Sequence, residues 1–158
     1  MFYTIVLTLH NILRWVVLIA ALLTIIRSVN GLRFKRGWTE SDNKSSMLYA
    51  SFLDVQLLLG LLLYFVLSPI TTAALQNFGG AMSNSGARFF LIEHSLMMFI
   101  AVVVAHVGRT MVKRAANAVS KHRRNAIWMA ISLLIVLASI PWPFFPAARP
   151  LFRFFGLF

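Results

Sequence analysis

Twenty residues, RFFLIEHSLMMFIAVVVAHV from Arg88 to Val107, decide how this chain is built. As a helix rising 1.5 Å per residue they extend about 30 Å, the thickness of the hydrocarbon core of a bilayer. Only Arg88, Glu93, His94, Ser95 and His106 interrupt the apolar run, too few to form the polar stripe of a soluble amphipathic helix. The stretch reads as a membrane span over about 88–108, with a basic helical extension toward Asn117.

Working outward, three further segments reach comparable length. The first covers about 2–26 and stops at Arg27, with Asn30-Gly31 just beyond as a helix C-terminal signal. It exceeds the apolar core of a secretory signal peptide, no basic residue precedes it, and Arg14 falls in its middle, so it reads as a retained helix. The second covers about 46–67 and is ended by Ser68-Pro69. The fourth, about 125–140, is short and is ended by Pro141-Trp142-Pro143. Trp142, Phe144 and Phe145 there suit an interfacial aromatic belt. Between the second and third spans, Gln76-Asn77-Phe78-Gly79-Gly80 reads as a surface turn or short interfacial element.

Composition agrees. Of 158 residues, 59% are hydrophobic and 12% charged, against about 45–50% and 25% in soluble domains. Fifteen Lys and Arg against four Asp and Glu leave a net charge of +11. Arg27, Arg33, Lys35, Arg36 and Lys44 follow the first span, and Arg109, Lys113, Arg114, Lys121, Arg123 and Arg124 follow the third. The opposite ends carry Arg88, Arg149 and Arg153. This asymmetry places both basic loops in the cytoplasm and both termini outside. It also accounts for the basic residues without nucleic acid, for which no aromatic reading surface is present. The expected fold is an all-α integral membrane four-helix bundle, one domain over 1–158, with both termini on the outer (periplasmic) side.

Polar residues at membrane depth are costly and mark candidate sites. They are His10, Arg14, Asp54, Gln56, Glu93 and His94, with His106 nearer the inner edge. His10 and His94 lie on parallel helices, each roughly 9–12 Å below the outer surface. Gly60 on the antiparallel second helix reaches a similar level. Two imidazoles at one depth, with a glycine that lets a flat ring approach a backbone, suit a single b-type haem with His10 and His94 as axial ligands to its iron. Tyr64 follows Gly60 one turn further out, and Arg88, Arg149 and Arg153 are placed for haem propionates. With no cysteine in the chain, thioether-linked haem, disulfides and Cys metal sites are excluded. Membrane helices also use His and Gln as interhelical hydrogen-bond donors, worth about 0.6 kcal/mol on average. A purely structural role for the two histidines is therefore the alternative.

Arg14 shares the face of His10 one turn deeper, and Asp54 and Gln56 sit near mid-membrane. An Arg14–Asp54 ion pair is the simplest way to hold both charges; the functional reading of Arg14, Asp54, Gln56 and Glu93 is a proton or quinone-headgroup site. Glu93 has Arg14 or Arg88 as candidate partners. His106 is turned about 120° from His94 and finds no second histidine at its level, so a second haem is not expected. His122, inside Lys121-His122-Arg123-Arg124, reads as a contact to anionic lipid.

His10-Asn11-Ile12-Leu13-Arg14, the stretch from Asp54 through Gly60 to Tyr64, Arg88 through Glu93-His94 with Met97-Met98, and Ile140-Pro141-Trp142-Pro143-Phe144 resemble, in that order, small bacterial four-helix membrane proteins labelled cytochrome b-like. The resemblance covers nearly the whole chain. It implies a bacterial inner-membrane protein of respiratory electron transfer and carries the ligand role to His10 and His94, with His106 less certain. The expected function is thus a haem-binding membrane protein passing electrons, alone or as a subunit of a larger complex, with at most quinol-linked redox activity. Its expected partners are membrane lipids, quinone and other membrane or periplasmic redox subunits. The alternatives are a haem-free accessory subunit of a membrane complex and a small proton-coupled transporter.

Overall fold

Residues 1–145 and 147–152 are described in the computed structural model, and among them the regular structure is entirely helical. Helix α1 (Phe2–Arg33) is followed by α2 (Glu40–Leu62), which continues through a π-helical turn, Leu63–Leu67. Three short helices, α3 (Pro69–Gln76), α4 (Phe78–Ser83) and α5 (Ser85–Arg88), occupy the stretch expected to hold a surface turn or short interfacial element. A second π-helical turn, Phe89–Glu93, leads into α6 (His94–Lys113), and α7 (Ala118–Ser139) completes the order.

Side-chain caps set most of these boundaries. Thr39 and Asp42 form a capping box that starts α2, with Asp42 Oδ2 accepting from the Thr39 amide at 3.0 Å. Ser68 caps α3 with Pro69 in its first turn, where a missing N–H costs nothing. Asn77, Asn84 and Asn117 cap α4, α5 and α7. Asn30-Gly31 does not end α1 as the sequence suggests. The helix runs on to Arg33 and closes where Lys35 turns to φ 49°.

Phe2–Arg33, Glu40–Leu67 and Ser85–Lys113 are long and apolar enough to cross a membrane, as a multi-pass protein requires. Helix α7 is one residue shorter than α2, but its first turns hold His122, Arg123 and Arg124, which leaves a shorter apolar stretch. Large apolar side chains line the outward faces of all four long helices, among them Leu23, Leu58, Phe99 and Leu134. Such a surface suits lipid rather than water.

Helix α1 packs between α2 and α7, and α6 lies chiefly along α7, with a looser seam against α2. The core between them combines Val17, Leu18, Ala21, Tyr49, Leu53, Ala101, Ala105, Met129, Leu133 and Val136. Alanines and glycines allow the close approach. Gly108 faces Trp128 of α7, and Gly31 of α1 faces the His122 ring so closely that a Cβ on either would overlap its neighbour. Buried hydroxyls and amides join the helices. The Tyr49 hydroxyl bonds Ser132 Oγ at 2.8 Å, and Ser132 donates to the Ala101 carbonyl at 2.8 Å. Ser46 donates to Asn125 at 2.9 Å, which donates to Ser28 at 2.7 Å.

Candidate functional site

The two π turns position the site. A π turn shifts hydrogen bonding from i+4 to i+5, rotates the chain beyond it and leaves carbonyls to be satisfied elsewhere. In the first turn the Ser68 amide reaches the Leu63 carbonyl at 2.8 Å, and Thr71 Oγ1 donates to the Tyr64 carbonyl at 2.8 Å. In the second, the Leu91 carbonyl accepts from the Tyr64 hydroxyl at 3.0 Å and from Ser95 at 2.9 Å. Tyr64 therefore ties one turn to the other, and His94 is the first residue after the second.

His94 and His10 meet across α6 and α1 with ring centroids 6.4 Å apart and planes at 69°. His94 Nδ1 lies 2.7 Å from the Ser139 carbonyl. A carbonyl only accepts, so Nδ1 carries the hydrogen and Nε2 keeps a free lone pair. His10 Nδ1 is buried with no hydrogen-bond partner, while the His10 carbonyl accepts from Gln56 Nε2 at 3.0 Å. Gly60 stands over the His10 ring, where a Cβ would lie 3.4 Å from Cε1. Phe89 and Phe90 flank His94, with ring centroids at 5.9 and 6.0 Å.

A cavity of about 470 Å³ opens beside this pair, bordered by His10, Gly60, Tyr64, Phe90, His94 and Arg149. A smaller one of about 100 Å³ shares both histidines and reaches Arg14 and Pro150. Arg149 belongs to both, and its guanidinium lies 5.0 Å from the centre of the Phe90 ring.

The remaining polar residues are arranged differently from the sequence expectation. Arg14 does not pair with Asp54. Its Nη2 donates to the Leu151 carbonyl at 2.5 Å, which also accepts from Trp15 Nε1 at 3.1 Å. Asp54 instead accepts from His106 Nε2 at 2.7 Å. The reason is rotational. Gln56 faces α1, and Asp54, two residues earlier, is turned about 160° away toward α6.

Glu93 pairs with Arg88 at 2.9 Å, both about half exposed, so Arg88 is engaged at the helix end and does not border the cavity. The cation that does is Arg149; Arg153 lies outside the described residues. His122 is fully buried rather than turned to lipid. It packs against Trp38, with ring centroids 4.9 Å apart and planes at 59°, in the recess left by Gly31, with Nε2 3.4 Å from the Gly37 carbonyl.

Two imidazoles are too few to enclose a bare metal ion, and among the described residues no three His, Cys, Asp or Glu side chains converge on one point. A porphyrin would bring its own equatorial nitrogens and ask of the protein only axial ligands. The pair meets that requirement. Nε2 of His94 is free, Nδ1 of His10 is an orphaned buried nitrogen, and the glycine leaves open the space a side chain would fill. The chain matches no family model, no curated protein and no solved structure.

Proposed function

We propose that this is a b-type haem-binding membrane protein that passes electrons in a respiratory chain, by itself or within a larger complex. In this reading four spans form one bundle in a bacterial inner membrane, with the basic segments in the cytoplasm and both termini outside. The observation that carries the proposal is the His10–His94 pair beside a cavity of about 470 Å³.

When bound, haem supplies one-electron transfer at its iron. The chain's own residues do the rest. His10 and His94 would hold the group from two helices, and the Ser139 carbonyl fixes the His94 ring and its tautomer. Gly60 admits the ring edge, and Tyr64 steadies the turn that carries His94. Phe89 and Phe90 flank His94 with apolar rings and would keep water from the group. Arg149 at the cavity wall, with Arg14 nearby, would pair with carboxylates on the group.

A reduced-minus-oxidised spectrum of protein produced in haem-replete cells tests this. A b-type signal at one haem per chain is expected, lost in His10→Ala and His94→Ala. A folded wild-type preparation without pigment overturns it.

A further inference from the structure

Four side chains around the smaller cavity each keep one buried polar atom without a partner. They are His10 Nδ1, Asn11 Oδ1 and Arg14 Nε on α1, and Gln56 Oε1 on α2. Their other bonds fix how they point. Asn11 Nδ2 donates to the Pro150 carbonyl at 3.4 Å, and Gln56 Nε2 donates to the His10 carbonyl at 3.0 Å. A carbonyl only accepts, so each amide must turn its oxygen the other way. Arg14 spends Nη2 on the Leu151 carbonyl and keeps Nε unused.

The mixture decides what fits between them. An anion would satisfy Arg14 and repel the two amide oxygens. A cation would satisfy the oxygens and repel Arg14, which is only 8% exposed. Water both donates and accepts, and it settles in cavities that offer two to four polar partners. At the ~30 Å³ that each molecule occupies in the liquid, a cavity of about 100 Å³ holds about three.

The two histidines differ at this point. A metal-bound imidazole ordinarily gives the hydrogen of its second nitrogen to a carbonyl, a carboxylate or water, which fixes the ring and its tautomer. His94 meets that rule directly, with Nδ1 2.7 Å from the Ser139 carbonyl. His10 has no such partner. Its Cε1–Nδ1 edge faces α2, where a Cβ on Gly60 would lie 3.4 and 4.0 Å from the two atoms. Nδ1 is therefore the nitrogen that needs an acceptor, and Nε2 is the one left to match Nε2 of His94. Gln56 stands one turn before Gly60, on the same face of α2.

We propose that Gln56 is a positioning residue for His10, acting through an enclosed water that accepts from His10 Nδ1–H and donates to Gln56 Oε1. The second hydrogen of that water goes to Asn11 Oδ1, and Arg14 Nε donates to it or to its neighbour. One imidazole of the pair is then held dry, by a backbone carbonyl that no substitution removes. The other is held wet, by side chains that set its donor strength. The role of His10 as an iron ligand rests on the haem reading above; the water does not.

Water-edited solid-state NMR on the full chain in liposomes, labelled with ¹⁵N-histidine, tests this. The haem-free protein is used, and the reduced, diamagnetic form where pigment is present. Polarisation is expected to pass from water to a protonated Nδ1 of His10, assigned by its loss in His10→Ala, and not to Nδ1 of His94. Gln56→Met is expected to abolish the transfer and lower haem retention about tenfold, the lower end of what second-shell changes cost. It should also move the g-values of the oxidised pigment and leave the thermal midpoint of the haem-free protein unchanged. Gln56→Glu, which keeps an acceptor oxygen, restores retention. Should Gln56→Met fold poorly by gel filtration, the contrast between the two wild-type histidines decides alone. A dry His10, equal transfer to both rings, or wild-type retention and g-values in Gln56→Met overturns the proposal. Pigment with a dry His10 refutes the water only, and a wet His10 without pigment refutes the haem only.

Discussion

The two ends of this helical assembly solve the problem of buried polar groups in opposite ways. At the basic end most buried polar groups are matched, Arg109 Nη1 and His122 Nδ1 excepted, and space is filled. Asn125 links Ser46 to Ser28, Thr24 donates to the Ser45 carbonyl, Asp42 is capped by Thr39 and paired with Arg27 at 3.1 Å, and His122 fills the recess beside Gly31. At the other end the α-helical ladder is interrupted twice, two cavities meet at a pair of histidines, and His10 Nδ1, Arg14 Nε and Gln56 Oε1 are buried without partners. Unsatisfied buried groups cost about 1–3 kcal/mol each. The basic end is thus a closed half, and the other an open half whose unpartnered groups lie beside the two cavities.

That contrast can be broken from the closed side first. Gly31→Val puts a branched side chain where the His122 ring already sits. Overpacking of this kind costs about 1–3 kcal/mol, here at a point that joins α1 to α7. A lower thermal midpoint and reduced folded yield in detergent are expected, while pigment per folded molecule stays at the wild-type value. Equal loss of pigment and fold would mean that the two halves are not separable.

From the open side, Gly60→Leu occupies cavity beside His10 and should do the reverse. A Cβ alone sits at 3.4 Å from His10 Cε1, an ordinary contact, so Gly60→Ala is tolerated. The larger side chain is expected to lower haem retention about tenfold, equivalent to about 1.4 kcal/mol, and to leave the thermal midpoint of the haem-free protein unchanged or slightly higher. Full pigment in Gly60→Leu would remove the cavity from the proposed site.

What could be read from the sequence divides along the same line. Depth adds up residue by residue at 1.5 Å, so a count from the helix ends brought His10, Gly60 and His94 to one level, and the structure places Gly60 and His94 against the His10 ring. Rotation does not add up so simply. Asp54 and Arg14 also match in depth, yet Asp54 faces α6 because Gln56 already faces α1. The π turns were equally hidden, since the apolar runs that contain them carry no mark of a changed hydrogen-bond step. The Thr39-Glu40-Ser41-Asp42 capping box was a legible signal that lay just outside the apolar run and went unused. His122 was concealed by its neighbours. Three cations around it suggest a wet surface, and only Gly31, read as a helix stop, records that an imidazole packs there.

The smallest test concerns the chain of hydrogen bonds from Tyr49 through Ser132 to the Ala101 carbonyl, which spans α2, α7 and α6 within the core. Ser132 has no exposed surface, and both its bonds are short. In water-soluble interiors an orphaned Tyr49 hydroxyl would cost more than a kilocalorie per mole. Between membrane helices the measured worth of such bonds averages about 0.6 kcal/mol, because the separated helices also find partners. Ser132→Ala keeps the close approach of α6 and α7 and removes only the relay. A loss near 0.6 kcal/mol, read from denaturation in mixed micelles, would assign the rigidity of the closed half to its small-residue packing. A loss several times larger would instead make the polar relay its main fastening.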